Sequence, residues 1–117
     1  MSQLMTLRLY FTQADKAPKT RRLNFFRPSL AGHILKQAAQ AGIEQVILHR
    51  VESGYLKGHR RVAHHHVEAI NPHMPHCIEM IDLEGKLRDF VRLHAEHLAK
   101  VRAVFLPCEI HHDPLAL

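Results

Sequence analysis

Long apolar runs are missing from this chain. None approaches the roughly 20 residues that a bilayer-spanning helix needs, so an integral membrane protein is not expected. Glycine (5) and proline (6) are sparse among 117 residues, and no tract is of low complexity. Wholesale disorder is therefore excluded. Only two cysteines are present, Cys77 and Cys108, too few for a disulfide framework and in keeping with a reducing compartment. The opening stretch "MSQLMTLRLYF" lacks the basic, apolar and small-residue regions of a secretory signal. A cytoplasmic location is the expectation.

Tryptophan is absent and aromatic residues are 6% of the chain. The segment "HCIEMID" (76–82) has no aromatic side chain. It offers no base-stacking platform of the kind RNA-recognition modules use. Arg21, Arg22, Arg27, Arg60 and Arg61 could touch phosphates nonspecifically, but a nucleic-acid partner is not expected. Walker motifs, nucleophile elbows and carboxylate pairs are missing too, so no catalytic residue is assigned and an enzyme is not expected. Both cysteines sit in apolar strand patterns, where a thiol is usually inert packing.

What is present is positive charge and histidine. Sixteen Lys and Arg against eleven Asp and Glu give +5, with twelve histidines counted neutral. Histidine titrates near 6.5, so the net charge depends on pH. A basic balance points to an anionic partner or simply to solubility.

The length fits one domain, 1–117, with a core of about 5–110. "MTLRLYF" (5–11) alternates, with Met5, Leu7, Leu9 and Phe11 on one face of a strand. A basic loop with two prolines follows. Leu30, Ile34, Leu35, Ala38 and Ala41 form a helical stripe that Pro28 or Ser29 can start and Gly42 can end. "EQVILHRV" (44–51) is a second strand. A long connection, 53–74, has turn signals at Gly54, Gly58 and Asn71-Pro72. "HCIEMID" is a third strand, with Asp82 expected to cap a second helix. Leu83, Leu87, Phe90, Val91, His94 and Leu98 recur at helical spacing. "RAVFLPCEI" (102–110) is a fourth strand, and Pro107 argues for an edge position or a bulge.

The expected fold class is α+β: a ferredoxin-like βαββαβ order with a four-stranded antiparallel sheet and two helices on one face. The strands nevertheless carry apolar residues on both sides. Ile47 and Val51 oppose Val46 and Leu48; Cys77 and Ile81 oppose Ile78 and Met80; Val104 and Leu106 oppose Phe105. A one-sided sheet alternates more cleanly, so the second face is expected to be covered by other subunits.

The stretch "RRVAHHHVEAINPHMPHCIEM" (60–80) carries five histidines. Imidazole suits zinc, copper and nickel. In an extended chain His64 and His66 point one way and His65 the other. His73, His76 or Cys77 could complete a site across a hairpin. The candidate metal set is His64, His66, His73 and His76. No spaced ligand motif is present, and the bland reading is a solvated, pH-sensitive loop.

Three segments together, "LRLYFTQADK", "VILHRVESGYLKGHR" and "MPHCIEMIDLEGKLRDFV", resemble the PII-like proteins of domain-of-unknown-function family 190. The resemblance spans about Met5 to Ile110. Met74-Pro75, Glu79, Ile81-Asp82 and Glu84 occupy the places of the family's pattern. It implies a homotrimer with its sheets facing inward. It also implies that 53–74 corresponds to the T-loop, which changes order when a small ligand binds and contacts a partner protein, one that could itself be a membrane protein. In PII proteins the ligand cleft lies between subunits. Here the matching positions are Arg50, Ser53 and Gly54 at the loop base, Lys100 and Arg102 after the second helix, and His111 and His112 in the tail. The first five are the candidate nucleotide-binding residues, with an adenine nucleotide as the implied cofactor. PII proteins proper hold phosphate on a Gly-rich loop. The corresponding "HLAKVRAV" is short and has no glycine, which leaves open a smaller phosphate ligand, a nucleotide held differently, or none. The implied function is trimeric, ligand-sensing regulation through the loop. The alternative is metal binding or sensing by the loop histidines, similar to divalent-cation tolerance proteins.

Overall fold

A computed structural model describes residues 3–13, 29–65 and 72–114. Eight elements follow one another: β1 (Leu4–Thr12), α1 (Leu30–Gln40), β2 (Gln45–Arg50), β3 (Ser53–Gly54), β4 (Ala63–His64), β5 (Pro75–Leu83), α2 (Glu84–Leu93) and β6 (Arg102–Pro107). Four of the strands form one antiparallel sheet in the order β2-β5-β1-β6, and β3 pairs with β4 apart from it. The first strand thus lies between the third and fourth long strands. This is the split βαβ order of a ferredoxin-like α+β fold.

The period of two along β1 decides what is inside. Met5, Leu7, Leu9 and Phe11 are buried. They align with Met80, Ile78 and Phe105 on neighbouring strands and meet Leu30, Ile34 and Ala38 of α1 and Leu87 and Phe90 of α2. Arg88 lies over the Phe105 ring, 4.2 Å from its centre, and ties α2 to the β6 edge. The last strand lies at a sheet edge and stops at Pro107, short of the expected Ile110, because proline has no N–H with which to extend a ladder.

Local chemistry sets the helix ends. Ser29 caps α1 by accepting from the Gly32 N–H at 3.1 Å. At the other end Gly42 has φ 71°. Its N–H donates to the Ala39 carbonyl and the Ile43 N–H to the Ala38 carbonyl, both at 3.1 Å. That is a Schellman ending, sealed by the buried Ile43.

Two expectations are corrected. Asp82 does not cap α2, because the cap position is Leu83. Its buried carboxylate instead accepts from the Leu83 N–H at 2.7 Å and from the Glu44 N–H at 2.8 Å, with Lys86 3.4 Å away. Being inside, it serves strand entry as well as helix entry. The second helix is also shorter than its apolar period. It ends at Leu93, and residues 94–100 continue as turns. The His94 and Leu98 N–H groups still donate four residues back, so the stripe carries on where the regular helix does not.

Replacing Asp82 with Ala removes the buried acceptor of two backbone N–H groups. It should cost about 3 kcal/mol, read as a lower urea midpoint with an unchanged slope. An unchanged midpoint would show the carboxylate to be dispensable.

Candidate functional site

The ends of the four long strands decide which groups can meet. Thr12, Arg50, Pro75 and Arg102 all lie at one end of the sheet. The segment after β2 leaves from this end, and the connection after α2 returns to it. Three clefts open here among the described residues.

The first, about 250 Å³, is lined by Tyr10, Phe11, Thr12, Leu56, Lys57, His59, Lys100 and Arg102. Lys57 reaches it from the loop, Lys100 and Arg102 from the start of β6. Among the described residues no ion pair neutralises these three cations, and no carboxylate lines the cleft. Unpaired cations around a concave, partly apolar wall attract an anion. Two of the candidate nucleotide residues, Lys100 and Arg102, are therefore brought together. Lys57 and His59, from the 53–74 segment, join them. Nothing in the spacing of 57–59 against 100–102 could have shown it, since the contact depends on how the loop folds back.

The other nucleotide candidates are elsewhere in the same chain. Arg50 lines a second cleft of about 250 Å³ with His49, His65 and His76. Ser53 and Gly54 form β3, and the Ser53 hydroxyl bonds His64 Nδ1 at 2.8 Å. Arg50 ends one edge strand and Arg102 begins the other. They are three strand spacings apart, about 14 Å.

A third cleft, about 390 Å³, is lined by His59, Arg60, Arg61, Val62, Ala63 and His73. His59 lies between this cleft and the first, and its ring meets that of His73 edge-on at 5.7 Å. Its Nδ1 is buried with no hydrogen-bond partner among the described residues.

The three candidate metal residues that are described, His64, His73 and His76, are each engaged elsewhere. His64 bonds Ser53, His73 lines the third cleft, and His76 packs edge-on against Phe11 at 5.4 Å. His66 lies outside the described residues. Among the described residues no group of three or more His, Cys, Asp or Glu is placed to hold a metal ion. His111 and His112 are exposed at the tail.

The helix-free sheet face is also laid out. It carries Thr6, Arg8 and Tyr10 of β1, Cys77, Glu79 and Ile81 of β5, Ile47 and His49 of β2, and Val104 and Leu106 of β6. Ile78 and Met80 belong to the opposite, buried face. At its centre Glu79 takes Arg8 Nε at 3.1 Å, with His49 Nε2 at 3.7 Å. Tyr10 first, then Glu79, hold the Arg8 guanidinium above its ordinary pKa. Burial pushes the Cys77 thiol up, which argues against a nucleophile. Cys77 and Cys108 are both free.

A family model of domain-of-unknown-function family 190, described as "Uncharacterized ACR", matches residues 5–110. The chain belongs to this family. No curated protein matches the chain. No described helix is long and apolar enough to cross a membrane.

The 55–62 segment supplies one of the first cleft's three cations, Lys57, but little of the core; among the described residues around it Ala63 and Met74 are buried. Replacing 55–62 with a short Gly-Ser turn should leave stability within about 1 kcal/mol, since closure entropy changes slowly with length. Unfolding on that replacement would make the segment structural.

Proposed function

We propose that this protein is a PII-like regulator that binds a small phosphate-bearing anion at the sheet end and reports its presence through the 53–74 segment. The observation that carries the reading is the meeting of Lys57, Lys100 and Arg102 in one cleft, with no carboxylate among the described residues that line it. Lys57 belongs to the loop and the other two to the body, so an anion that bridges them couples loop to body. Cations held on two elements that move relative to one another are a direct way to turn binding into a change of loop order.

The PII-like assignment rests on the resemblance together with the strand order. A homotrimer is part of the proposal and has its own support. Ile47 and Leu106 are exposed at 42% and 37% on a helix-free face, larger apolar exposure than a sheet facing water usually carries. The separation of Arg50 from Arg102 supports the same reading. They sit at the same end of opposite edge strands, so they face one ligand only where two chains meet edge to edge. Adenine nucleotides are the leading ligand class, with side-chain cations replacing a glycine-rich backbone cradle. The protein acts by binding, in the cytoplasm, on a protein partner contacted by the loop.

Native mass spectrometry against AMP, ADP, ATP, inorganic pyrophosphate and divalent zinc, nickel and copper tests ligand and assembly together. A trimer that retains a phosphate compound, with affinity falling as salt rises, is the expected result. Lys100→Ala and Arg102→Ala should each weaken it about tenfold or more, the loss of one charge-assisted contact. Equal affinity in both variants would sink the cleft assignment. Retention of metal alone, at fixed stoichiometry and lost below the histidine pKa, would favour the loop-histidine reading.

Assembly has a separate test. Leu106→Asp or Ile47→Asp places an unpaired charge on the helix-free face and should dissociate the trimer in sedimentation. A wild-type protein that sediments as a monomer at micromolar concentration would refute it.

A further inference from the structure

We propose that His33, His94 and His97 form a proton-operated clamp that holds the segment bearing Lys100 and Arg102 against α1. Its regulatory meaning rests on the reading of the first cleft as an anion site; the clamp itself does not.

The three rings come from two elements. His33 stands on α1, and His94 and His97 lie on the turns that follow α2. His33 Nε2 and His97 Nδ1 are 3.2 Å apart, with ring centres at 4.5 Å. His94 stacks on His97 at 5.8 Å and packs on Phe90 at 4.5 Å. A bond between two ring nitrogens needs one N–H and one lone pair. Neutral rings satisfy that, and so does a pair sharing one extra proton. Two imidazolium rings do not: both nitrogens then carry hydrogen, and two positive charges face each other at contact distance.

The surroundings resist charging. His33 lies below its ordinary pKa, first through burial, then through His97 and His94 across the contact and Lys36 on its own helix. His94 is lowered by burial and by His97. Folded His33 and His94 therefore bind protons less readily than the unfolded chain does. Their contribution to stability is fully present above the unfolded value of about 6.5, and it is lost as pH falls from there through the lowered folded values.

The segment the clamp holds runs straight into the cleft. Leu98, next to His97, is buried. Its N–H donates to the His94 carbonyl at 3.1 Å, and the Val101 N–H donates to the Leu98 carbonyl at 3.0 Å. Lys100 and Arg102 flank Val101. Opening between His33 and His97 loosens the turns that carry Lys100 and lead into Arg102 at the start of β6, so acidification should weaken the grip on an anion. His59 lines the same cleft and can meet the anion independently of the clamp. Affinity alone would mix the two effects, so the backbone has to be read directly.

The experiment is an amide and histidine-ring NMR titration of the full chain from about pH 8 to about pH 5, with inorganic pyrophosphate as the anion probe. The amides of 98–102 should shift together with the His33 and His94 ring signals, with common midpoints below about 6.5, and should exchange faster on the acid side. His33→Gln and His97→Gln, two variants in case one folds poorly, should each abolish that response. In a His59→Gln background, pyrophosphate affinity should fall about tenfold across the same range, the equivalent of one unit of coupled pKa. Amides of 98–102 that stay still while the rings titrate would overturn the clamp, and so would an undiminished response in both variants. Absence of pyrophosphate binding at every pH, with the amide response intact, would overturn the anion reading of the cleft and leave the clamp standing.

Discussion

The alternation of β1 is the constraint on which the rest depends. Burying Met5, Leu7, Leu9 and Phe11 beneath the helices leaves Thr6, Arg8 and Tyr10 no choice but the opposite face. Because β1 is central, its register is copied outward into β5 and β6, and β5 passes it on to β2. One strand's pattern therefore places Glu79 beside Arg8, Val104 on the other flank, and Arg50 and Arg102 at the same sheet end. A slip of one residue would exchange both faces at once. The helix face and the helix-free face are two consequences of a single choice.

The polar centre of the helix-free face has a consistent physical role. Exposed ion pairs contribute little to stability, so Arg8 and Glu79 gain little while water reaches them. Covering a face is costly when it strands a charge. Here Glu79 already has Arg8, and His49 lies within reach. The surrounding Ile47, Ile81, Val104 and Leu106 can then be covered without isolating a carboxylate. A face that is apolar at its rim and internally paired at its centre suits burial against a copy of itself better than prolonged contact with water.

Much of this was legible in the sequence. Period-two strands, the Ser29 start, the Gly42 end and the edge position of Pro107 all follow from local rules and match the structure. The βαββαβ order needed only the succession of elements. Acidic residues before a helix usually cap it, whereas the Asp82 carboxylate takes the N–H of Leu83 at the end of its own strand and that of Glu44 at the entry to β2. The second helix was drawn too long because apolar spacing continues through turns that keep some i−4 bonds. The candidate cleft was half legible: Lys100 and Arg102 came from the resemblance, but their partners Lys57 and His59 are some 40 residues away. The His33–His97 contact, 64 residues apart, was invisible for the same reason. Period and propensity describe one element at a time, and these contacts exist only between elements.

The absence of glycine between α2 and β6 has a chemical consequence for recognition. A glycine-rich turn holds phosphate on backbone N–H groups that are short, fixed and specific in direction. The connection in this chain offers Lys100 and Arg102, long side chains whose attraction is strong but loosely directed. A cleft built this way favours charge over shape and draws its geometric selectivity from whatever fixes those side chains. Their backbone is fixed from both sides. Leu98 is anchored in the core, and the antiparallel pairing of Arg102 with Tyr10 anchors the far end. Between those anchors Val101 packs against the core, and just ahead of Leu98 the chain meets α1 through His97 and His33. On the proposed reading, selectivity for an anion and sensitivity to protons arise from one short stretch, because the backbone that carries the cations continues from His97, whose bond to His33 depends on where the protons sit.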